Sequence, residues 1–228
     1  MKIKDVKLFT YSFWCSWLKG KMKNKSHNIG IIAFGSLIDD PGEELEPFII
    51  KKIKNVDTPF KIEYGRKSSK RGNAPTLIPT SKGGQIVKAT LLVLSNELEL
   101  WEAKNLLYRR ELNKVGTDIK YRDRKNPNSN QLVIEEHRNV KHVDVALTAN
   151  FGCNLPEISP EILADLAIES FNSNVVENGR DGISYLNNNI ANGIITPMTE
   201  KYKNAILQKM DANSLIEILE RDDLDFNS

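Results

Sequence analysis

Cysteine is nearly absent from this chain. Cys15 and Cys153 are the two among 228 residues, which excludes a disulfide framework and any cysteine-based ligand spacing for a metal. His27, His137 and His142 are too scattered for a zinc site, and no His-Glu-x-x-His occurs. No resident metal is expected, and sparse cysteine points to the cytoplasm. Long apolar runs are also missing. The nearest is the aromatic-rich stretch Leu8 to Leu18, about half of the roughly 20 residues a membrane-spanning helix needs. A small-residue cleavage site does not follow it, whereas the basic run Lys19 to Lys25 does, unlike a signal peptide. Residues 1–27 are therefore read as an amino-terminal extension packing on the domain. An upstream start ahead of Met22 and a membrane-surface anchor stand as alternatives.

What is present is enough for a substantial core: 40% of the residues are hydrophobic and 27% charged, in a length that suits one domain with elaborations. The net charge is only +2, but unevenly spread. Residues 1–74 carry 15 Lys/Arg against 8 Asp/Glu, and residues 151–228 carry 5 against 13. This reads as solvated surface with complementary charge between regions. The basic clusters Lys19–Lys25 and Arg66–Arg71 are short and lack interleaved aromatics or a reader motif, so no nucleic-acid surface is expected.

Along the chain, Asn28 to Ile38 reads as a core strand. Gly42 to Lys54, with Leu45, Phe48, Ile49 and Ile53 at helical spacing behind Pro41, reads as a helix. Phe60 to Tyr64 alternates like a strand. Ala74 to Thr80 and Gln85 to Leu94 read as strands joined in hairpin fashion through Ser81-Lys82-Gly83-Gly84. Asn96 to Glu111 reads as a helix with an Asn96/Glu99 capping box. Arg122 to Asn130 reads as an exposed loop and Val143 to Ala149 as a strand. Helices are expected over 160–171, 182–190 and 199–210. The expected class is α+β: a mixed β-barrel or sheet core over 28–150 with one inserted helix, and a helical extension over 151–228 packing on it.

Two features could carry chemistry. In the first, the apolar run Ile31-Ile32-Ala33 ends in Phe34-Gly35-Ser36-Leu37, a turn whose freed backbone N–H groups can face a carboxylate or an oxyanion. Its plain alternative is a strand-ending turn. The second is Glu111, which continues the stripe Leu100, Ala103, Leu107 at offsets 0, 3, 7 and 11. A carboxylate on such a stripe points to the core or a cavity, where it can accept a proton. Its plain alternative is a frayed helix end, or pairing with Arg109, Arg110 or Lys114. Arg66, Ser68, Lys70 and Arg71 sit on a turn that could approach the same cavity, where an arginine can grip a carboxylate in bidentate fashion. Arg180 and Asp181 read as a salt-bridged helix start rather than a second wall. Cys153 and Ser36 lack a neighbouring base or an elbow motif and are poor nucleophiles.

Taken together, Phe34-Gly35-Ser36-Leu37 and Leu107-Tyr108-Arg109-Arg110-Glu111, which lies 76 residues on (111 − 35), resemble the signature pair of the γ-glutamylcyclotransferase-like family. That signature is a Tyr-Gly-Ser-Leu/Asn turn followed by a helix-end glutamate. Ala74 to Pro79 and Val87 to Leu94 are similar to the paired strands before that helix. The resemblance covers about residues 28–150, and the stretch from Gly179 to Pro197 looks like a subfamily extension. Phe34 stands for the usual Tyr and Tyr108 for the common Asp. The resemblance implies a cofactor-independent acyltransferase or lyase acting on a small-molecule γ-glutamyl substrate and releasing 5-oxoproline. In it Glu111 would be the base, with Phe34, Gly35, Ser36, Leu37, Arg66 and Arg71 as substrate-binding residues. A non-catalytic binding module of the same fold, holding a small anionic metabolite or a protein partner, is the alternative. The oligomeric state and the amine part of the substrate are not readable.

Overall fold

In the computed structural model, which describes residues 28–173, 175 and 179–225, the apolar run after Asn28 becomes β1 (Ile29–Ala33), buried at every position. It runs parallel to β7 (Val145–Asn150), with Ile29 opposite Val145. On its other side lies antiparallel β5 (Lys88–Leu94), with Gly30 opposite Val93. β2 (Ile49–Asp57) lies outside β5 and β6 (Val133–Arg138) outside β7, giving a five-stranded mixed sheet ordered β2-β5-β1-β7-β6. A central strand covered on both faces has no polar face to alternate, hence its unbroken apolar run.

One face of the sheet is covered by α1 (Leu100–Leu112), whose Ala103, Leu106 and Leu107 pack with Ile31, Leu92 and Leu147. The opposite face gathers Ile32, Leu91, Val143 and Ala146. β3 (Lys61–Ser68) and β4 (Ala74–Thr80) form a separate two-stranded sheet. It is tied to the lead-in of β5 by reciprocal backbone bonds between Ile62 and Gln85, at 2.9 and 3.3 Å. Four helices share one core with this hairpin: α2 (Pro160–Phe171), α3 (Gly182–Ala191), α4 (Thr199–Lys209) and α5 (Leu215–Asp225). Their cluster joins Ile62, Tyr64 and Leu77 of the hairpin to Leu163, Leu186 and Tyr202. The architecture is mixed α+β. Among the described residues no helix is long and apolar enough to cross a membrane. The extension expected over 1–27 lies outside the described residues.

Three local expectations are corrected. The helix expected over Gly42–Lys54 is instead a short 3₁₀ turn (Glu46–Phe48) leading into edge strand β2. The misreading has a physical cause. Ile49 faces Leu94 but Lys51 faces Val93, and Ile53 faces Leu91 but Val56 faces Ala89. Each shift is a β-bulge that adds one residue to β2, so the half-buried positions are 49, 53 and 56. Bulges have converted a period of two into spacings of four and three, which imitate a helix. Second, β4 and β5 do not pair. The Ser81–Gly84 loop carries the chain from one sheet to the other, β4 pairing with β3 and β5 with β1 and β2. Third, α1 starts at Leu100 after Glu99, which makes no side-chain cap bond, so the Asn96/Glu99 capping box does not form. Strand β6 and helix α5 occupy stretches with no sequence assignment.

Candidate functional site

Where β1 ends, Phe34 is still extended and Gly35 turns sharply, with φ at +61°, into a 3₁₀ turn over Gly35–Leu37. The turn is closed by Ile38 N–H donating to Gly35 O at 3.3 Å and Asp40 N–H to Ser36 O at 2.9 Å. Glycine is required here for two reasons. The left-handed φ disfavours a side chain, and a Cβ at this position would lie 2.6 Å from the Tyr185 hydroxyl oxygen.

The carboxylate comes from the last turn of α1. Ala103 and Leu107 are fully buried and Glu111 follows on the same stripe, its side chain 20% exposed. The helix stops there because Asn113 takes a left-handed φ of 57°. Asn113 N–H then donates to Arg110 O at 3.0 Å and Lys114 N–H to Arg109 O at 2.8 Å, the usual way an αL residue closes a helix. Glu111 Oε1 accepts from Arg110 Nη1 at 2.6 Å. Arg110 Nη2 reaches Ser36 Oγ at 3.4 Å and donates to the Asp40 carbonyl. One guanidinium thus binds the glutamate to the glycine turn. Arg109 points elsewhere, to Glu44 at 2.8 Å, whose Oε1 takes the Gly116 N–H at 2.9 Å.

Glu111, Arg110 and the turn residues Phe34, Ser36 and Leu37 line one cavity of about 510 Å³. Its opposite wall is the β3–β4 hairpin, carrying Arg66, Lys70 and Arg71, and it is completed by Phe151, Arg180 and Tyr185. Gly35 itself is walled off by Tyr185. The structure therefore gathers Phe34, Ser36, Leu37, Glu111, Arg66 and Arg71 around one space.

The arginines differ in freedom. Arg66 donates to Ser129 O at 2.6 Å, to Gly152 O at 3.1 Å and to Asn130 Oδ1 at 3.4 Å, and stacks on Phe151 at 4.6 Å. It clamps two loops to β3. Arg71 makes one hydrogen bond, to Arg180 O at 3.2 Å, and lies 4.7 Å over the Tyr185 ring. Among the described residues no carboxylate pairs with it. Burial is the main effect drawing its pKa down and Arg110 and Arg180 add like-charge repulsion, while Tyr185 and Asp181 act in the opposite sense. Lys70 is likewise lowered, by burial first, with Glu111 acting in the opposite sense. A partly desolvated cation is stabilised when an anion joins it. The hairpin wall of the cavity is cationic, and Asp40, Glu43 and Glu111 line the same space.

Tyr108 points away from this space, into the sheet-side core against Tyr121 at 5.4 Å. Phe34 does line it, edge-on to Phe60 at 6.1 Å. Asp181 caps α3, taking Ile183 and Ser184 N–H groups at 2.8 Å each. No ion pair joins it to Arg180, whose side chain lines the cavity instead. Tyr185, like Phe151, is a site residue that the sequence reading lacked. Its only local signal is the Asp181-Gly182-Ile183 helix start, which fixes where α3 begins but not what it faces. Among the described residues no three His, Cys, Asp or Glu side chains are placed to hold a metal ion. No protein-family model matches the chain, and no curated protein matches it.

Proposed function

We propose that this chain is a γ-glutamylcyclotransferase-type enzyme that cyclises a γ-glutamyl group to 5-oxoproline and releases the attached amine. One observation carries the reading: Glu111 and the turn after β1, joined through Arg110, share a cavity with the half-buried cation Arg71, which no carboxylate pairs among the described residues.

In this reading the α-carboxylate of the glutamyl group pairs with Arg71, and the γ-carbonyl lies toward the turn. The α-amine attacks the γ-carbonyl carbon. A C–N bond forms, the carbonyl electron pair becomes an oxyanion, and Glu111 takes the proton that the nitrogen sheds. Glu111 then returns that proton to the leaving nitrogen as the original amide bond breaks. The ring closure is intramolecular, so holding both ends of the glutamyl group supplies much of the rate. No redox step or external nucleophile is needed. The reading places the reaction in a mixed β-sheet core of the γ-glutamylcyclotransferase-like type.

A second reading has its own support. The Glu111–Arg110 pair engages the carboxylate and Phe34 brings no hydroxyl, which suits a non-catalytic module holding a small anionic metabolite. Mass-spectrometric detection of 5-oxoproline separates the two, using a panel of γ-glutamyl amino acids, glutathione and γ-glutamyl-amines. Glu111→Gln is expected to abolish release while leaving the circular dichroism spectrum unchanged. Turnover by that variant equal to wild type removes Glu111 from the mechanism.

A further inference from the structure

Tyr185 belongs to α3, outside the 28–150 stretch that carries the sequence resemblance, yet it forms the floor of the cavity beside Gly35. The side chain is buried, and its ring is held under the Arg71 guanidinium at 4.7 Å. The backbone that carries it is fixed by the Asp181 cap and by the close approach of Gly182 to α2, where a Cβ would meet Ala167 Cα at 2.7 Å. A phenol held this firmly does not need to be ordered again when a ligand arrives.

Its hydrogen bonding is half complete. The phenol oxygen accepts from Leu77 N–H at 3.4 Å. Burial pushes its pKa up, while the Arg71 charge and the Leu77 hydrogen bond act against that. The Leu77 N–H is a donor. Among the described residues no acceptor takes the phenolic proton, although buried hydroxyls ordinarily donate as well as accept. The proton is therefore available to an oxygen of whatever occupies the cavity, beside the Gly35 turn. Glu111 lines the same cavity as Tyr185, so donor and base face one space.

We propose that Tyr185 is a catalytic residue of the cyclisation, its O–H donating to the γ-carbonyl oxygen as that oxygen becomes an oxyanion. This rests on the cyclotransferase reading. The base then comes from α1 and the oxyanion donor from the helical extension, so the extension is part of the active site. The interaction strengthens as negative charge develops, so it acts on kcat more than on ground-state binding.

The test compares wild type, Tyr185→Phe and Glu111→Gln on the panel member that wild type turns over fastest. For Tyr185→Phe, kcat is expected to fall about 100-fold, the size of loss typical of a removed oxyanion donor. KM should stay within about threefold and the melting temperature should be retained, because the ring and its stacking on Arg71 remain. A kcat within about threefold of wild type overturns the inference while leaving the cyclotransferase reading standing. A fall in kcat matched by a lowered melting temperature, or by an equally large rise in KM, also overturns it, since a packing role would give that result. If wild type releases no 5-oxoproline from any panel member, the underlying reading fails, and the inference fails with it.

Discussion

Arg71 and Arg66 show how differently two cations of one basic turn are used. The sequence places both within the cluster Arg66–Arg71 and cannot rank them, because the ranking depends on residues far away. Arg66 is occupied by carbonyls of Ser129 and Gly152, 63 and 86 positions on. Arg71 keeps most of its donors for the cavity. Arg71→Gln is therefore expected to raise KM for a γ-glutamyl substrate about ten- to a hundredfold, the usual worth of a charge-assisted hydrogen bond, with kcat changed far less. Steady-state kinetics check this, and an unchanged KM would assign the anion to another cation. Glu111 and the glycine turn, by contrast, were legible from the sequence. Both are local patterns, a stripe continued at offset 11 and an apolar strand stopped by Gly-Ser. Their junction through Arg110 was not, since it needs the side-chain path from Glu111 to Ser36.

At the level of elements, β2 carries the main correction. Two bulges placed its half-buried residues at helical spacing, and only the pairing with β5 reveals them. Strand β1 was readable because burial on both faces leaves an unbroken apolar run. Its partners were not, because Val145 pairs with Ile29 across 116 residues. Helix α1 has a further support with a clear pH signature. Glu44 accepts from Arg109, and that bond holds its carboxyl below the ordinary glutamate value of 4.5, with the Gly116 bond adding to it against burial. The folded form thus has the lower pKa, so the stabilisation is complete above pH 4.5 and fades as pH drops through the folded-state value. Glu44→Gln is expected to lower stability by about 1 kcal/mol at pH 7, a modest figure suited to a partly exposed pair. Denaturant titrations of wild type and variant should converge on acidification below pH 4.5. A gap that persists undiminished at pH 3 would contradict the ion-pair account.

The molecule as a whole is tied together around the β3–β4 hairpin. One apolar cluster spans the hairpin and the carboxy-terminal helices, while the Ile62–Gln85 bridge connects the hairpin to the main sheet. Met198 N–H donates to the buried Glu63 of β3 at 3.3 Å, and Gln85 Nε2 donates to Ile195 O at 2.8 Å. The helical nature of 160–209 was legible from apolar spacing and Gly/Asn breakers. Its contribution of a cavity wall was not, because nothing local to Tyr185 points to Gly35. Leu163 is fully buried in this cluster, so Leu163→Ala is expected to cost about 2–5 kcal/mol. That loss should appear in a single unfolding transition, with cavity-dependent activity disappearing together with helicity. A separate early transition of the helices, with activity retained, would show that the extension is dispensable.

The claim that most needs testing is that Glu111 performs a proton transfer in this cavity. The direct measurement is 5-oxoproline release by mass spectrometry from γ-glutamyl amino acids, glutathione and γ-glutamyl-amines, with wild type and Glu111→Gln side by side. Release by wild type and none by the folded variant is the predicted result. Equal release by both proteins, or none by wild type across the panel, would contradict it.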